Sequence, residues 1–254
     1  MTPETETTDD SGLSQTVKAQ LRLRELIVGG DIKPGQRISE LALVELIGVS
    51  RTPIRSALAR LQEEGLLDAL PGGGYVAKDF SEDEIRDAIE LRGTLEGLAA
   101  RLAAERGVGA VLLAEARECL QRIDDLLAEP QLDAASFSAY VEHNGRLHAL
   151  LAEMPGSAVV RRQLERVTTL PFASPNGFVL VSASSPRARD MLIVAQAQHR
   201  AVIEAIANRE GARAEALMRE HARIAHQNLR EALLNHQSLQ HIPGGNLIRR
   251  RAAR

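Results

Sequence analysis

One cysteine, Cys119, stands alone among 254 residues, so no internal disulfide can form and a small core residue is the ordinary role for it. Uninterrupted apolar runs are missing too. None approaches the roughly 20 residues needed to span a bilayer, and the acidic opening TPETETTDD is unlike a secretory signal, so the expectation is a cytoplasmic protein without membrane contact. Aromatics are scarce, with four Phe and two Tyr, and two of the four phenylalanines fall in one odd segment, LPFASPNGFVLVSASSP. A strong excess of positive charge is lacking as well: the net charge is −3, and residues 1–80 carry nine Lys or Arg against twelve Asp or Glu. What remains, 44% hydrophobic and 26% charged residues, builds a core and excludes wholesale disorder.

The most informative stretch is residues 39–77, SELALVELIGVSRTPIRSALARLQEEGLLDALPGGGYVA. It reads as helix, tight turn, second helix and a hairpin with glycines at its tip. Ser39 is placed to N-cap a short helix with Leu41, Val44 and Leu46 inward, and Gly48 to end it. Ser50 is placed to cap the next helix, in which Ile54, Ala57, Leu58 and Leu61 form a buried stripe. Arg51, Thr52, Arg55 and Ser56 then fall on the exposed N-terminal turns, the part of a recognition helix that enters a major groove. Pro53 suits a first turn because its missing N–H has no partner there anyway. Strands near Leu67 to Leu70 and Tyr75 to Lys78 flank Pro71-Gly72-Gly73-Gly74, a loop able to approach a sugar-phosphate backbone closely. A solvated charged face is the bland reading of Arg51 and Arg55. Against it, Arg51 to Arg60 holds three arginines and no acid, a local patch sufficient to meet phosphates.

GVSRTPIRSALARLQEEGLL resembles the signature of the GntR family of bacterial transcription regulators, over roughly residues 14–78. The resemblance implies DNA contacts by Ser50, Arg51, Thr52, Arg55 and the wing glycines Gly73 and Gly74, with Arg51 and Arg55 on bases and Thr52 on phosphate. Arginine suits base reading because its planar fork donates two bonds to guanine O6 and N7. Some fatty-acid-responsive members use a further arginine where Leu41 stands here, which puts that third base contact in question.

Beyond the hairpin the chain turns Ala, Leu, Arg and Glu rich. The fold class expected is mainly α: a winged helix-turn-helix at 13–79 followed by an all-helical bundle at 81–237, which the family resemblance implies is an effector-binding and dimerisation domain, with disordered tails at 1–12 and 238–254. Ser81 with Glu84 makes a capping box, and Ile85, Ala88, Ile89, Leu95, Ala99 and Ala103 recur at helical spacing up to Gly107. Further helices are expected at 108–128, 133–153, 156–169, 187–208 and 211–237, broken at Pro130, Pro155, Pro171 and Gly211. LPFASPNGFVLVSASSP reads equally as a pocket wall or a packed connection. Arg249, Arg250, Arg251 and Arg254 make the last tail basic, a source of nonspecific DNA affinity or simply a solvated run.

Polar residues interrupt the apolar stripes of the bundle at a few places. Arg92 lies on the inward stripe, seven residues after Ile85, and needs a partner, either Glu96 one turn on or a bound carboxylate. Asn144 and His148 share a helix face, while His199 and His221 edge the stripes of two later helices. Taken singly, each histidine is more often exposed or internally satisfied than a ligand.

ELRGTLEGLAARLAA, NGRLHALL and QHRAVIEAIANREGARAEALMREH resemble the FCD effector domain of the fatty-acid-regulator-like GntR subfamily. That resemblance implies a divalent metal, zinc or nickel, at Asn144, His148, His199 and His221, with a small carboxylate effector on the metal and held by Arg92. Asn144 departs from the usual aspartate and is a poorer ligand; the alternative is that the histidines bind the carboxylate directly. Two segments, TLEGLAARLAAERG and LPFASPNGF, are similar to vanillate-responsive members. They imply an aromatic acid with its ring against Phe172 or Phe178; sugar acids and hydroxy acids stay open.

Three histidines around zinc also describe a hydrolytic site. No His-Glu-x-x-His element is present, no motif places a general base, and Glu142 is not singled out by spacing, so no enzyme is expected. A purely structural DNA-organising protein leaves the polar cluster unexplained. The expectation is a ligand-released repressor acting as a homodimer on a palindromic operator, its half-sites about one duplex turn apart.

Overall fold

The computed structural model describes residues 14–129, 133–177, 179, 188–234, 242 and 244–249. Phe178, Arg250, Arg251, Arg254 and the tail expected at 1–12 lie outside the described residues. The chain divides into two compact units, residues 1–78 and 79–254.

In the first unit, α1 (Gln15–Gly29) starts where the Ser14 hydroxyl accepts from the Val17 amide and stops at Gly30, whose φ of 89° only glycine adopts freely. It packs Leu23 and Ile27 against the buried stripe of α3 (Arg51–Glu63), Ile54, Ala57, Leu58 and Leu61. Helix α2 (Glu40–Ile47) is capped by Ser39, which accepts from Ala42 N at 3.4 Å, and ends at left-handed Gly48. Its inward face differs from the expected one. Leu43 is buried, whereas Leu41 and Leu46 are 57% and 61% exposed. Leu43 and half-buried Ile47 lie four apart on one face, Val44 is half-buried beside them, and Leu41 and Leu46 fall outside that arc. Ser50 holds the extended backbone of an N-cap, but its side chain makes no capping bond.

The sheet has three strands in the order β1 (Arg37–Ile38), β3 (Tyr75–Ala77), β2 (Leu67–Ala69), all antiparallel neighbours. Two residues of strand at β1 carry no alternation to read from sequence. Between β2 and β3 the turn is closed by Gly73 N to Leu70 O (2.9 Å) and Leu70 N to Gly74 O (3.0 Å), with Gly73 and Gly74 at φ of 83° and 88°. Arg37 reaches from β1 to the wing tip and donates to Gly73 O at 3.1 Å.

The second unit is a helical bundle. α4 (Glu82–Arg106) carries the full Ser81/Glu84 capping box; α5 (Ala110–Ala128), α6 (Ala134–Glu153), α7 (Ala158–Thr168), α8 (Ala188–Ala207) and α9 (Gly211–Leu234) follow. The main core gathers Ala103, Ile123, Leu147, Leu150, Val202, Ile206 and Met218, and a second cluster packs Val160, Leu164 and Val167 of α7 beside Ala99. α4 and α9 form the most extensive helix pair.

Two expectations change in this unit. Phe172, in a short 3-10 helix at Pro171–Ala173, is buried edge-to-face against Phe80, with centroids 5.3 Å apart. The tail expected to be disordered from 238 instead carries a 3-10 helix at Gly245–Leu247. It pairs with the start of the unit: Phe80 N donates to Leu247 O and Arg249 N to Phe80 O, both at 2.7 Å. Burial of Ile242, Leu247 and Ile248 accounts for the order, because those three apolar side chains outweigh the basic composition around them.

Candidate functional site

Ser50, Arg51, Thr52 and Arg55 are all exposed on the N-terminal turns of α3 or just before them, where the buried stripe leaves the opposite face open. Gly73 and Gly74 sit at the tip of the wing. Arg55 is not solitary: its Nε donates to Glu40 Oε2 at 2.7 Å across the turn between α2 and α3.

In the bundle, Arg92, Asn144, His148, His199 and His221 are all buried. Three histidines from α6, α8 and α9 converge, with one ring nitrogen of each lying within 4.8 Å of the others. Which nitrogens these are follows from the partners of the rest. Glu96 Oε1 lies 2.7 Å from His148 Nδ1, and a carboxylate can only accept, so Nδ1 carries hydrogen. His148 Nε2 is left buried without a hydrogen-bond partner.

The Gln196 amide nitrogen donates to Leu120 O and Asp124 Oδ1, both at 2.9 Å, which turns its Oε1 toward His199 Nδ1 at 3.3 Å. Nδ1 of His199 therefore donates, and its Nε2 presents a lone pair. His221 Nδ1 lies 3.2 Å from Gln198 Oε1, and His221 Nε2 faces His199 Nε2 at 3.0 Å. Either His221 donates to its neighbour through Nε2, or Gln198 takes the Nδ1 hydrogen and two lone pairs meet. Only a cation reconciles the second arrangement. Outer carboxylate and amide partners of this kind fix imidazole tautomers in metal sites.

Electrostatics agree with that chemistry. Burial, followed by the charge of His148, drives His199 well below the ordinary imidazole pKa; burial, then His199, His148 and Arg92, do the same to His221. Both are neutral at pH 7 and ready to ligate. Burial by itself would raise the Glu96 carboxyl, but His148 and Arg92 outweigh it, so the group is lowered and stays ionised.

Arg92 Nε stands 3.5 Å from Glu96 Oε2, yet its Nε and one terminal nitrogen make no hydrogen bond, and neither does Asn228 Oδ1. A guanidinium so buried and underused invites an anion. It lines a cavity of about 40 Å³ together with Tyr140, Asn144, His221 and Asn228, walled by Leu192 and Val179. Asn144 donates to Asn176 Oδ1 at 2.8 Å, while the Asn176 amide nitrogen is held on Val141 O. An aspartate at 144 would set oxygen against oxygen. Asn176 thus accounts for the amide at this place. Phe172 is not among the residues lining the cavity, a correction to its expected ring-binding role that follows from its contact with Phe80.

Sequence reasoning named the histidines, Arg92 and Asn144, and it named Glu96 only as an arginine partner. It missed Gln196, Gln198, Asn176 and Asn228. A buried glutamine on the apolar stripe of α8, three residues before His199, was the one signal available.

Among the described residues no helix is long and apolar enough to cross a membrane. Residues 87–224 match the FCD domain, and residues 13–76 match the bacterial regulatory proteins of the gntR family. The HTH-type transcriptional regulator LutR of Bacillus subtilis is 26% identical over 212 residues, covering 77% of this chain and 92% of that protein. A second Bacillus subtilis HTH-type regulator, YdhC, is 28% identical over 152 residues; the match takes in 59% of this chain and 64% of the relative, under two thirds of its length. The solved structure of Escherichia coli McbR/YncC shares the fold at a TM-score of 0.57 and 20% identity, over 85% of this chain and 98% of that one. The chain belongs to the FCD-domain family, and the winged helix that precedes that domain, residues 13–76, matches the bacterial regulatory proteins of the gntR family.

Proposed function

We propose that this regulator is a metal-dependent sensor of a small carboxylate, a cytoplasmic repressor that binds a palindromic operator as a homodimer and leaves it when the acid binds. The observation that carries the reading is the set of three inward Nε2 atoms, two with their Nδ1 hydrogens fixed by Glu96 and Gln196, beside a buried Arg92 with unused donors.

His148, His199 and His221 would hold the metal, with the Asn144 oxygen as the candidate fourth ligand, and zinc or nickel suits imidazole donors. Bound there, the ion supplies positive charge for a carboxylate. Arg92 donates to that carboxylate, and Asn228 Oδ1 accepts a hydroxyl from it. Binding the histidines directly, without metal, leaves the facing ring nitrogens of His199 and His221 unreconciled unless Gln198 turns its amide.

The cavity of about 40 Å³ is roomy enough for water and, beside the Arg92 guanidinium, for a carboxylate group. A compact hydroxy acid or sugar acid asks for less room beside Arg92 than vanillate, whose ring would have to lie against Leu192 and Val179. Release from DNA follows when the acid favours a domain arrangement in which two recognition helices no longer match two half-sites.

Thermal unfolding of the full chain, stripped with chelator and reloaded with zinc or nickel, tests the reading with lactate, a sugar acid and vanillate in parallel. A ligand at 100 times its Kd should stabilise by about 2.7 kcal/mol, and only in the reloaded protein. Equal shifts with and without metal would remove the metal from the site. No shift with any acid would make the cluster structural. On the DNA side, Arg55→Ala should cost about 1–3 kcal/mol of operator binding in a titration at fixed salt.

A further inference from the structure

The ion pair between Arg55 and Glu40 joins the first turn of α2 to the face of α3 that the GntR resemblance gives to base reading. Glu40 directly follows the Ser39 cap, so its backbone is pinned at the helix start, and its side chain is about one-third exposed. Its Oε2 takes one donor of Arg55, Nε, at 2.7 Å, while the arginine side chain remains 66% exposed. A guanidinium has five donors in one plane. Engaging Nε fixes that plane and leaves the two terminal NH₂ groups, the pair that spans guanine O6 and N7. Arg51, exposed one turn earlier on the same helix, has no acidic partner among the described residues.

We propose that Glu40 is a positioning and specificity-determining residue: it holds Arg55 in the orientation that reads guanine and withholds it from phosphates. The inference rests on Arg55 being a base-reading residue. Two consequences follow from the charge. On an operator the fork meets guanine with its plane already set, so less side-chain freedom is lost on binding. On other sequences no guanine edge takes the terminal groups, and leaving Glu40 for a phosphate would strand a carboxylate beside a polyanion. Glu40 thereby lowers nonspecific affinity, which in a domain with no overall positive excess is set by a few local arginines. The exposed pair adds little to fold stability, so its effect belongs in the discrimination between sequences.

The test uses the full chain, a duplex enriched by the unaltered protein from a randomised pool, and a scrambled duplex of equal length. Glu40→Gln keeps the size and helix propensity of the side chain while removing its charge. We expect scrambled-duplex affinity to rise several-fold, its salt dependence to steepen by about 0.9 in log–log slope for one added phosphate contact, and the preference for the enriched duplex to fall about tenfold. Glu40→Asp should recover part of that preference. In an Arg55→Ala background the Glu40→Gln change should have no further effect on preference, since the two residues act as one unit. An unchanged preference in Glu40→Gln, or an equal change with and without Arg55, overturns the positioning role. Should Arg55→Ala alone leave the preference intact, the base-reading assignment fails instead and takes this proposal with it.

Discussion

His199→Ala should abolish metal-dependent stabilisation and the response to any acid while leaving operator affinity within a few-fold of the unaltered protein. His199 lies within the cluster, its ring centroid 4.2 Å from that of His221 and 5.4 Å from that of His148, which are themselves 5.4 Å apart. Its removal deletes one of three imidazole donors, and the loss should exceed the 10–100-fold drop in metal affinity typical of losing an outer partner. Glu96→Gln should fall inside that smaller range, because it alters the partner of His148 and not a ligand. Operator binding is preserved because the recognition face lies on a different compact unit. Isothermal titration of zinc into chelator-treated protein, paired with a DNA titration, reads both quantities. Undiminished zinc affinity in His199→Ala would move the metal elsewhere.

The same residue gives the metal-free protein a pH dependence whose sign is fixed. Folded His199 and His221 have pKa values below the unfolded value of about 6.5, so in acid the unfolded chain takes up their protons first. Their share of stability is complete above pH 6.5 and is lost as pH falls below it. Chelated His199→Ala should show a shallower acid loss in urea titrations between pH 7 and 5.

Arg92 and the buried stripe of α3 could be read from sequence because each is a local matter of spacing along one helix, whereas the grouping of the three histidines comes from the family resemblance and not from spacing. Ile54, Ala57, Leu58 and Leu61 recur at helical intervals, and Arg92 stands seven residues from Ile85. What could not be read depends on contacts remote in the chain. Glu96 meets His148 across 52 residues, and Asn176 meets Asn144 across 32; neither leaves a periodic trace. Leu41 and Leu46 misled because a two-turn helix offers too few positions to decide between neighbouring arcs. Phe172 misled because an aromatic in an irregular segment suits a ligand wall and a packed joint equally well, and only Phe80, 92 positions earlier, decides between them. The C-terminal pairing with Phe80 was hidden for the same reason.

Gly93→Val should cost the second unit about 3 kcal/mol and weaken metal binding along with it. A Cβ added at Gly93 would lie 2.5 Å from the Cβ of Ala222, well inside van der Waals contact, so α4 and α9 cannot keep their approach. Ala222 has no flexible side chain to give way, and overpacking of this kind costs about 1–3 kcal/mol, with a branched residue at the upper end. At about 2–4 °C per kcal/mol for a unit of this size, the melting temperature should fall by several degrees to about 12 °C. Gly93 adjoins Arg92 on α4 and Ala222 adjoins His221 on α9, so spreading the helices moves both sides of the cavity. Gly97→Ala should be milder, because its nearest obstacle, Arg219 Cγ at 2.8 Å, belongs to a long and half-exposed side chain, and the rigid Glu215 carbonyl oxygen stands farther off at 3.1 Å. The decisive comparison is Gly93→Ala with and without Ala222→Gly. Removing the opposing methyl costs about 1 kcal/mol of helix propensity in the unaltered protein, yet should stabilise the Gly93→Ala variant. A second change that destabilises equally in both backgrounds would mean that the helices tolerate the added methyl, and the close crossing at Gly93 would not be what holds Arg92 and His221 on the same cavity.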